Sequence, residues 1–199
     1  MGFLDVLLGR TRPVAPDLDQ LFALPSAALT LEAAVSLTPT GTGAVCFATV
    51  EGQAFAEARE DVQALLDADT ERQGPPVEAV RDEYGYSWLV SRRGPEDLPA
   101  LVSDLHAVNS ALESSGFGPQ LLCSVVAFHD VRNSGDERRL GLVYLYKRGT
   151  FYPLCMLSGR PKRDNALELQ VAALLKDDLR IEKEKAHWFP LWDAPGLIN

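Results

Sequence analysis

The chain has 199 residues, of which 46% are hydrophobic and 24% are charged. That balance is typical of a folded globular protein, so it excludes wholesale disorder. The net charge of −9 argues against nucleic acid as the main partner, although residues 131–199 carry a positive balance and residues 1–130 a strongly acidic one.

Residues 1–10 predict a short amphipathic helix that the rest of the chain does not need for folding. At helical spacing its apolar side chains share one arc, formed by Phe3, Leu4, Val6, Leu7 and Leu8. The prolines that follow cannot continue a helix, so we interpret residues 1–16 as an apolar hook and linker that contacts a membrane surface or a partner. The hook is too short for a signal-peptide core, and no apolar run has the length of a spanning helix. We therefore expect a cytoplasmic protein, and we expect any contact that it makes with a membrane to be peripheral.

The region after the hook predicts two short helices and then the first strand. Residues 17–24 are expected to form a helix that Pro25 ends, and the second helix begins after Thr30. The TPTGTG segment is typical of a loop. The β-branched and aromatic side chains of residues 44–50 predict a strand.

The middle of the chain predicts two longer helices separated by extended structure. Residues 53–68 have the apolar periodicity of an amphipathic helix. Residues 77–93 are typical of one long strand or of a hairpin broken near Gly85, with an alternating face formed by Tyr84, Tyr86, Trp88 and Val90. The clearest helix of the chain follows at about residues 96–115 and stops at Gly116.

The next segments predict three strands in succession. Residues 121–129 and 138–146 are apolar on both faces, which favours central strands that are covered on both sides. Residues 147–150 predict a turn into a third strand, and Pro153 favours an edge position for that strand.

A final helix and an aromatic segment complete the predicted elements. The helix is expected to begin at Asn165, whose side chain caps it while Glu168 reaches back. The aromatic segment contains Trp188, Phe189 and Trp192. Because exposed aromatic side chains favour aggregation, we expect this segment to dock on a single domain of residues 17–199, with a dimer contact or a partner as the alternative. Truncation of Trp192 to alanine is then expected to cost about 2–4 kcal/mol.

The order of these elements predicts an α+β fold, an antiparallel sheet with helices packed against it. Helices alternate with hairpins, without the repeated βαβ spacing of a doubly wound sheet. Two architectures fit this order. One is a ferredoxin-like β-α-β-β-α-β unit with an added hairpin and helix, and the other is a sandwich resembling the type III secretion chaperone fold.

Side chains with chemical potential form no recognisable catalytic, nucleotide or metal motif. The three histidines are too dispersed to share a metal ion. Asp82 and Glu83 are adjacent on a predicted strand, so they point to opposite faces and cannot act as a carboxylate pair. The three cysteines lie in apolar surroundings and are expected to be reduced core residues: Cys46, Cys123 and Cys155. We therefore expect no catalytic residue, cofactor or metal.

The turn after the second central strand predicts an interaction surface. Basic and aromatic side chains that favour protein interfaces cluster there in the sequence, namely Lys147, Arg148, Phe151, Tyr152 and Arg163. Such a surface would suit an acidic helical partner. A charge reversal at Arg148 and Arg163 is expected to weaken partner binding while preserving stability.

Eight sequence blocks, in the same order along the chain, resemble one known family. They include MGFLDVLLGR, DEYGYSWLV, DLHAVNSAL, LVYLYKRGTFYP and WFPLWDAPGL. The chain resembles the PspAB-type family of actinobacteria, small proteins associated with phage shock protein A. The resemblance implies a cytosolic accessory of an envelope-stress system, and it carries over no catalytic residues.

Two functions from different classes are consistent with the sequence. The first is a non-enzymatic adaptor that binds phage shock protein A or its operon partner near the membrane. The second is a small-ligand sensor or an enzyme that uses the Tyr84, Tyr86 and Trp88 face together with the flank of His106. A deep apolar pocket with polar groups inside would favour the second function, whereas aromatic side chains packed flat under a helix would favour the first.

Overall fold

A computed structural model of the protein describes residues 16–49, 51–69, 74–130, 138–157 and 162–197. The predicted hook, with its apolar residues Phe3, Leu4, Leu7 and Leu8, lies outside these described residues. Its proposed contacts therefore stay a prediction.

Four α-helices are present in the described part of the chain: α1 (Leu24–Val35), α2 (Gln53–Asp67), α3 (Leu98–Leu112) and α4 (Asn165–Leu174). A 3-10 helix, Leu18–Ala23, leads directly into α1. The prediction that Pro25 ends a helix was wrong, because Pro25 lies in the first turn of α1. A backbone N–H has no intrahelical partner in that turn, so proline is tolerated there and favours the start of a helix. A left-handed residue, Ser36 with φ 58°, ends α1 and turns the chain into the sheet.

Within the described residues the sheet has six strands: β1 (Leu37–Ala48), β2 (Glu78–Arg81), β3 (Tyr86–Arg92), β4 (Leu121–Asp130), β5 (Arg138–Leu145) and β6 (Thr150–Leu157). Their spatial order is β2-β3-β1-β4-β5-β6, and every neighbouring pair is antiparallel. The predicted α+β class is therefore confirmed. The run β1-α2-β2-β3-α3-β4 has the ferredoxin-like order of elements, and the β5-β6 hairpin extends its sheet.

Strand β1 is longer than its sequence predicts. It begins at Leu37, so the TPTGTG segment belongs to the strand and was wrongly predicted as a loop. The pairing with β4 shifts between Pro39 and Gly43, which is the signature of a bulge. Gly41 adopts φ 78° in this bulge, and its carbonyl accepts a hydrogen bond from the Arg93 amide at 2.9 Å. The loop-forming residues are thus accommodated by an irregularity inside a strand.

One face of the sheet is covered by helices. All four α-helices contribute to a hydrophobic cluster with the sheet side chains on that face, including Val45, Phe47, Leu89 and Phe128. A polar pair crosses this interface, since the Asn109 amide nitrogen donates to the Ser124 hydroxyl at 2.8 Å. We call this the helix-covered face.

The opposite face is covered by residues 188–197, which we call the covering segment. Trp188, Ala194 and Leu197 are buried against a second cluster that includes Cys46 and Tyr152. The covering segment approaches the sheet so closely at Gly141 that a Cβ there would lie 2.8 Å from Leu197 Cδ1. The aromatic segment with Trp188 and Trp192 was expected to dock on its own chain, and the contacts described here are made within the chain.

The start of α4 differs from its predicted capping. Asp164, rather than Asn165, occupies the cap position, and its carboxylate accepts a hydrogen bond from the Leu167 amide at 3.1 Å. The side chain of Glu168 does not reach back to the cap but is bound by Arg163. Pro153 lies on β6, at the end of the strand order, as its missing N–H predicts.

Candidate functional site

A cavity of about 410 Å³ lies between the β2–β3 hairpin and the covering segment. The hairpin supplies Asp82, Tyr84, Tyr86 and Trp88, and the covering segment supplies Pro190, Leu191, Trp192 and Asp193. The three aromatic residues that alternate along the hairpin in the sequence therefore meet at one cavity. They are not packed under a helix, because the helices lie on the other face of the sheet.

Asp82 shapes the hairpin side of this cavity. Its Oδ2 accepts a hydrogen bond from the Trp88 indole at 2.9 Å, and its Oδ1 accepts one from the Tyr86 amide at 2.8 Å. Gly85, with φ 85°, permits the tight turn that brings these groups together. Trp88 is 1% exposed, so its ring forms part of the sheet-facing floor.

Two tyrosines and a second carboxylate lie towards solvent. Tyr84 is 57% exposed and Tyr86 is 43% exposed, whereas Trp192 and Asp193 are half-buried. The pKa of Tyr84 is raised, first by partial loss of hydration and then by the nearby carboxylates of Glu83 and Asp193. The mouth of the cavity is therefore aromatic and acidic.

The covering segment is held in place by hydrogen bonds from side chains. The Trp188 indole donates to the Glu182 carbonyl at 3.0 Å, and the Trp188 carbonyl accepts from Arg163 Nη1 at 2.8 Å. The Tyr152 hydroxyl donates to the Phe189 carbonyl at 2.9 Å. These bonds fix the position from which the chain reaches the cavity at residues 190–193.

Arg163 links the covering segment to α4 and β6. Its Nε and Nη2 donate to the two oxygens of Glu168 at 2.8 and 2.9 Å, while Glu168 Oε1 also accepts from the Cys155 amide. The Glu168 side chain is 3% exposed, so this is a buried ion pair. A buried carboxylate depends on such partners for its charge.

The predicted basic and aromatic corner exposes its basic residues Lys147 and Arg148 but buries its two aromatic rings. Phe151 and Tyr152 are completely buried, which corrects the expectation that their rings face a partner. Arg148 is paired with the buried Glu182, and Lys147 donates to the Pro119 carbonyl at 2.7 Å. With Arg163 also bound internally, a charge reversal at these arginines is expected to destabilise the protein, contrary to the expectation from sequence. The role of this corner in partner binding stays a prediction.

The flank of His106 does not join the cavity. His106 lies among the helices, with its ring 4.9 Å from the ring of Phe22 and its Nε2 3.7 Å from Asp19 Oδ1. The residues that sequence reasoning missed are the carboxylates Asp82 and Asp193. The sequence signal for Asp193 is its position directly after Trp192 in a segment with two prolines.

The three cysteines are free and buried. Cys46 and Cys123 are paired in register across β1 and β4, and their mutual hydrogen bond, together with burial, raises the pKa of Cys46. Burial and the nearby carboxylates raise the pKa of Cys155 to about 12. Thiols held in this protonated form are poor nucleophiles.

No group of three or more His, Cys, Asp or Glu side chains in the described ranges is arranged to hold a metal ion. None of the helices within those ranges combines the length and apolarity needed to cross a bilayer.

The fold and the cavity together define an α+β protein in which a non-helical segment closes one sheet face and forms a wall of an aromatic, acidic site. The chain belongs to the PspAB family, described as PspA associated protein B, whose family model matches residues 1–196. The resemblance drawn from the sequence blocks is thus confirmed. No curated protein and no solved structure matches the chain.

Proposed function

We propose that this protein is a non-enzymatic adaptor that binds phage shock protein A (PspA) in the envelope-stress response. The observation that carries the proposal is the family match over residues 1–196, which spans the hook and all but the last residue of the covering segment. The adaptor is cytoplasmic, and any contact that it makes with the membrane is formed by residues 1–10.

The energetics of the hook support a role in association rather than in folding. Its five apolar side chains gain roughly 1.5–3 kcal/mol each when fully buried. Ordering ten backbone residues costs about 1–2 kcal/mol apiece, so the two contributions nearly cancel. We therefore propose that the apolar side chains of the hook serve contacts with a partner or a lipid surface.

Co-purification of the full chain with PspA tests the adaptor function. We expect deletion of residues 1–12 to abolish co-purification with PspA or sedimentation with vesicles, while the melting temperature changes by only a few degrees. Replacement of Leu7 and Leu8 by aspartate should have the same effect, and Asp5→Asn serves as the matched control. An adaptor role is excluded if the full chain fails to bind PspA, and a core role for the hook follows if the deletion unfolds the protein.

A second candidate, a small-ligand sensor, is favoured by a specific observation. Tyr84, Tyr86 and Trp88 converge on a cavity with carboxylates in its lining, which is the arrangement that ligand recognition requires. The flank of His106 is not part of this candidate site. The chemistry of the cavity defines which ligands would suit it.

A further inference from the structure

We propose that the cavity between the β2–β3 hairpin and the covering segment binds an organic cation, an alkylated ammonium or a guanidinium group. This inference rests on the second candidate function and does not depend on PspA binding. It is carried by the aromatic side chains, the two carboxylates and the size of the cavity.

The charge of the cavity favours a cation. Asp82 and Asp193 lie in its lining, and none of the described lining residues is Lys, Arg or His. Arg81 is the basic residue nearest in sequence to the lining residues of the cavity. It lies opposite Ser87 on β3, whereas its neighbour Val80 lies opposite Trp88, whose ring lines the cavity. Because neighbouring residues on a strand point to opposite faces, the Arg81 side chain starts on the other side of the sheet, and its Nη2 lies 3.9 Å from the Cβ position of Gly85 without joining the lining of the cavity.

The aromatic side chains give this negative site its selectivity. The faces of Trp and Tyr rings attract cations, and aromatic cages of this kind recognise quaternary ammonium groups. The covering segment already contains one such contact, with Lys185 Nζ lying 3.3 Å from the ring centroid of Trp188. Tyr84, Tyr86 and Trp192 line the cavity with part of each side chain exposed, so they would receive their cation from outside, whereas Trp88 is only 1% exposed.

The size and apolar walls of the cavity restrict the class of cation. A volume of about 410 Å³ accommodates a choline-sized molecule or the end of a long basic side chain. Pro190 and Leu191 replace water on one side with apolar surface. A strongly hydrated metal ion loses more hydration there than a guanidinium, which is only weakly hydrated. The cation is therefore either a free small molecule or an arginine side chain of a partner, with the same chemistry in both cases.

Titration of the full chain with two charged probes and their neutral isosteres tests the inference. The first pair is choline and 3,3-dimethylbutan-1-ol, and the second is N-acetylarginine amide and N-acetylcitrulline amide. Calorimetry measures affinity, and the indole N–H resonances of the three tryptophans report the position of binding. We expect each cation that binds to shift the resonances of Trp88 and Trp192 more than that of Trp188, and to bind about tenfold more tightly than its isostere.

Two pairs of matched variants locate the site. Asp193→Asn should weaken binding about fivefold, whereas Asp61→Asn, which removes the same charge from the exposed surface of α2, should not. Tyr84→Leu should weaken binding similarly, and Phe22→Leu is its control because Phe22 is 51% exposed on the helix-covered side. The Tyr84 pair keeps the test decisive if Asp193→Asn fails to fold.

The outcomes separate this inference from the adaptor function. Tighter binding of choline identifies a free molecule as the source of the cation, and tighter binding of the arginine probe identifies a partner side chain. The inference is overturned if neither cation shifts Trp88 or Trp192, if the isosteres bind equally well, or if the control variants weaken binding as much as the site variants. Loss of PspA binding by a chain that still binds choline would contradict the adaptor function alone.

Discussion

The two faces of the sheet bury similar side chains under very different covers. On the helix-covered face, each helix forms most of its backbone hydrogen bonds within itself. On the other face, the covering segment depends on side chains such as Arg163 and Tyr152 to bind its carbonyl groups. A cover of this kind opens at a lower free energy than a packed helix, because fewer of its bonds form cooperatively. Recognition sites are commonly found at such boundaries, and the cavity lies at the edge of this cover.

The largest expected effect comes from removing the link between the covering segment and α4. Arg163→Ala leaves Glu168 buried without its ionic partner and removes the donor to the Trp188 carbonyl, so we expect a loss of about 3–5 kcal/mol. Urea unfolding measures this loss. Arg180→Ala is the control, since Arg180 is largely exposed and 3.9 Å from Asp17, and it should change stability by about 0.5 kcal/mol or less. Equal costs for the two variants would contradict the structural role of Arg163.

The two tryptophans of the covering segment allow a comparison of how strongly its two ends contribute to stability. Trp188 is 6% exposed and stacks on Tyr152 with ring centroids 6.0 Å apart, so Trp188→Ala should cost about 3–4 kcal/mol. Trp192 is half-buried at the cavity, and the cost of Trp192→Ala falls to about 1–2 kcal/mol, below the value expected from sequence. Chemical denaturation of both variants checks the order, and a Trp192 cost as large as that of Trp188 would show that the cover is uniform.

Glu182, whose carbonyl accepts the hydrogen bond from the Trp188 indole, makes the stability of the protein sensitive to acid. Burial alone would raise the pKa of Glu182, but hydrogen bonds from Arg148, the Glu184 amide and Thr150 outweigh it and lower the pKa from 4.5 to about 2. A lowered pKa means that folding is favoured by the ionised form, so this stabilisation is complete above about pH 4.5 and is lost as the pH falls towards 2. Glu182→Gln should flatten the dependence of the melting temperature on pH in that window. An unchanged profile would show that Glu182 contributes nothing to acid sensitivity.

The smallest effect is expected on the helix-covered face. Ser124→Ala removes the hydroxyl that accepts from Asn109, while the Asn109 amide keeps its bond to the Leu105 carbonyl at 2.8 Å. The expected loss is about 1–2 kcal/mol in urea unfolding. Ser103→Ala, on the exposed side of α3, provides a matched control with a change within about 0.5 kcal/mol. A larger loss at Ser124 than at Trp188 would reverse the comparison between the faces.

The spacing of apolar residues predicted the elements whose hydrogen bonds and apolar contacts form between residues close in sequence. The α2 helix and the β2–β3 hairpin follow from apolar spacing and glycine placement, and both are present. The predicted stop at Gly116 falls late, because α3 ends at Leu112 and Gly116, with φ 86°, lies in the short helical segment that follows. Local rules failed at Pro25 and at the TPTGTG segment, where proline and glycine have two opposite uses. Proline begins helices as well as ending them, and glycine serves a bulge as well as a loop.

The candidate site was only partly predictable because its two walls come from distant parts of the chain. The alternation of Tyr84, Tyr86 and Trp88 indicated a shared face, but nothing local indicated that Asp193 would lie opposite them. The buried positions of Phe151 and Tyr152 were hidden by the same limitation. Trp188, which stacks on Tyr152, follows much later in the sequence, and Phe151 is buried in the cluster on the helix-covered face while its backbone bridges to Ile181.

The position of the covering segment along the chain has a consequence for biosynthesis. Residues 188–197 follow all six strands, so a ribosome completes the sheet before it synthesises the cover of the second face. Until the covering segment has docked, the apolar side chains around Cys46 and Tyr152 lack this cover. Such transient exposure makes a polypeptide prone to aggregation and a substrate for chaperones. Variants that loosen the cover should therefore lower the soluble yield in cells more than their effect on equilibrium stability would suggest.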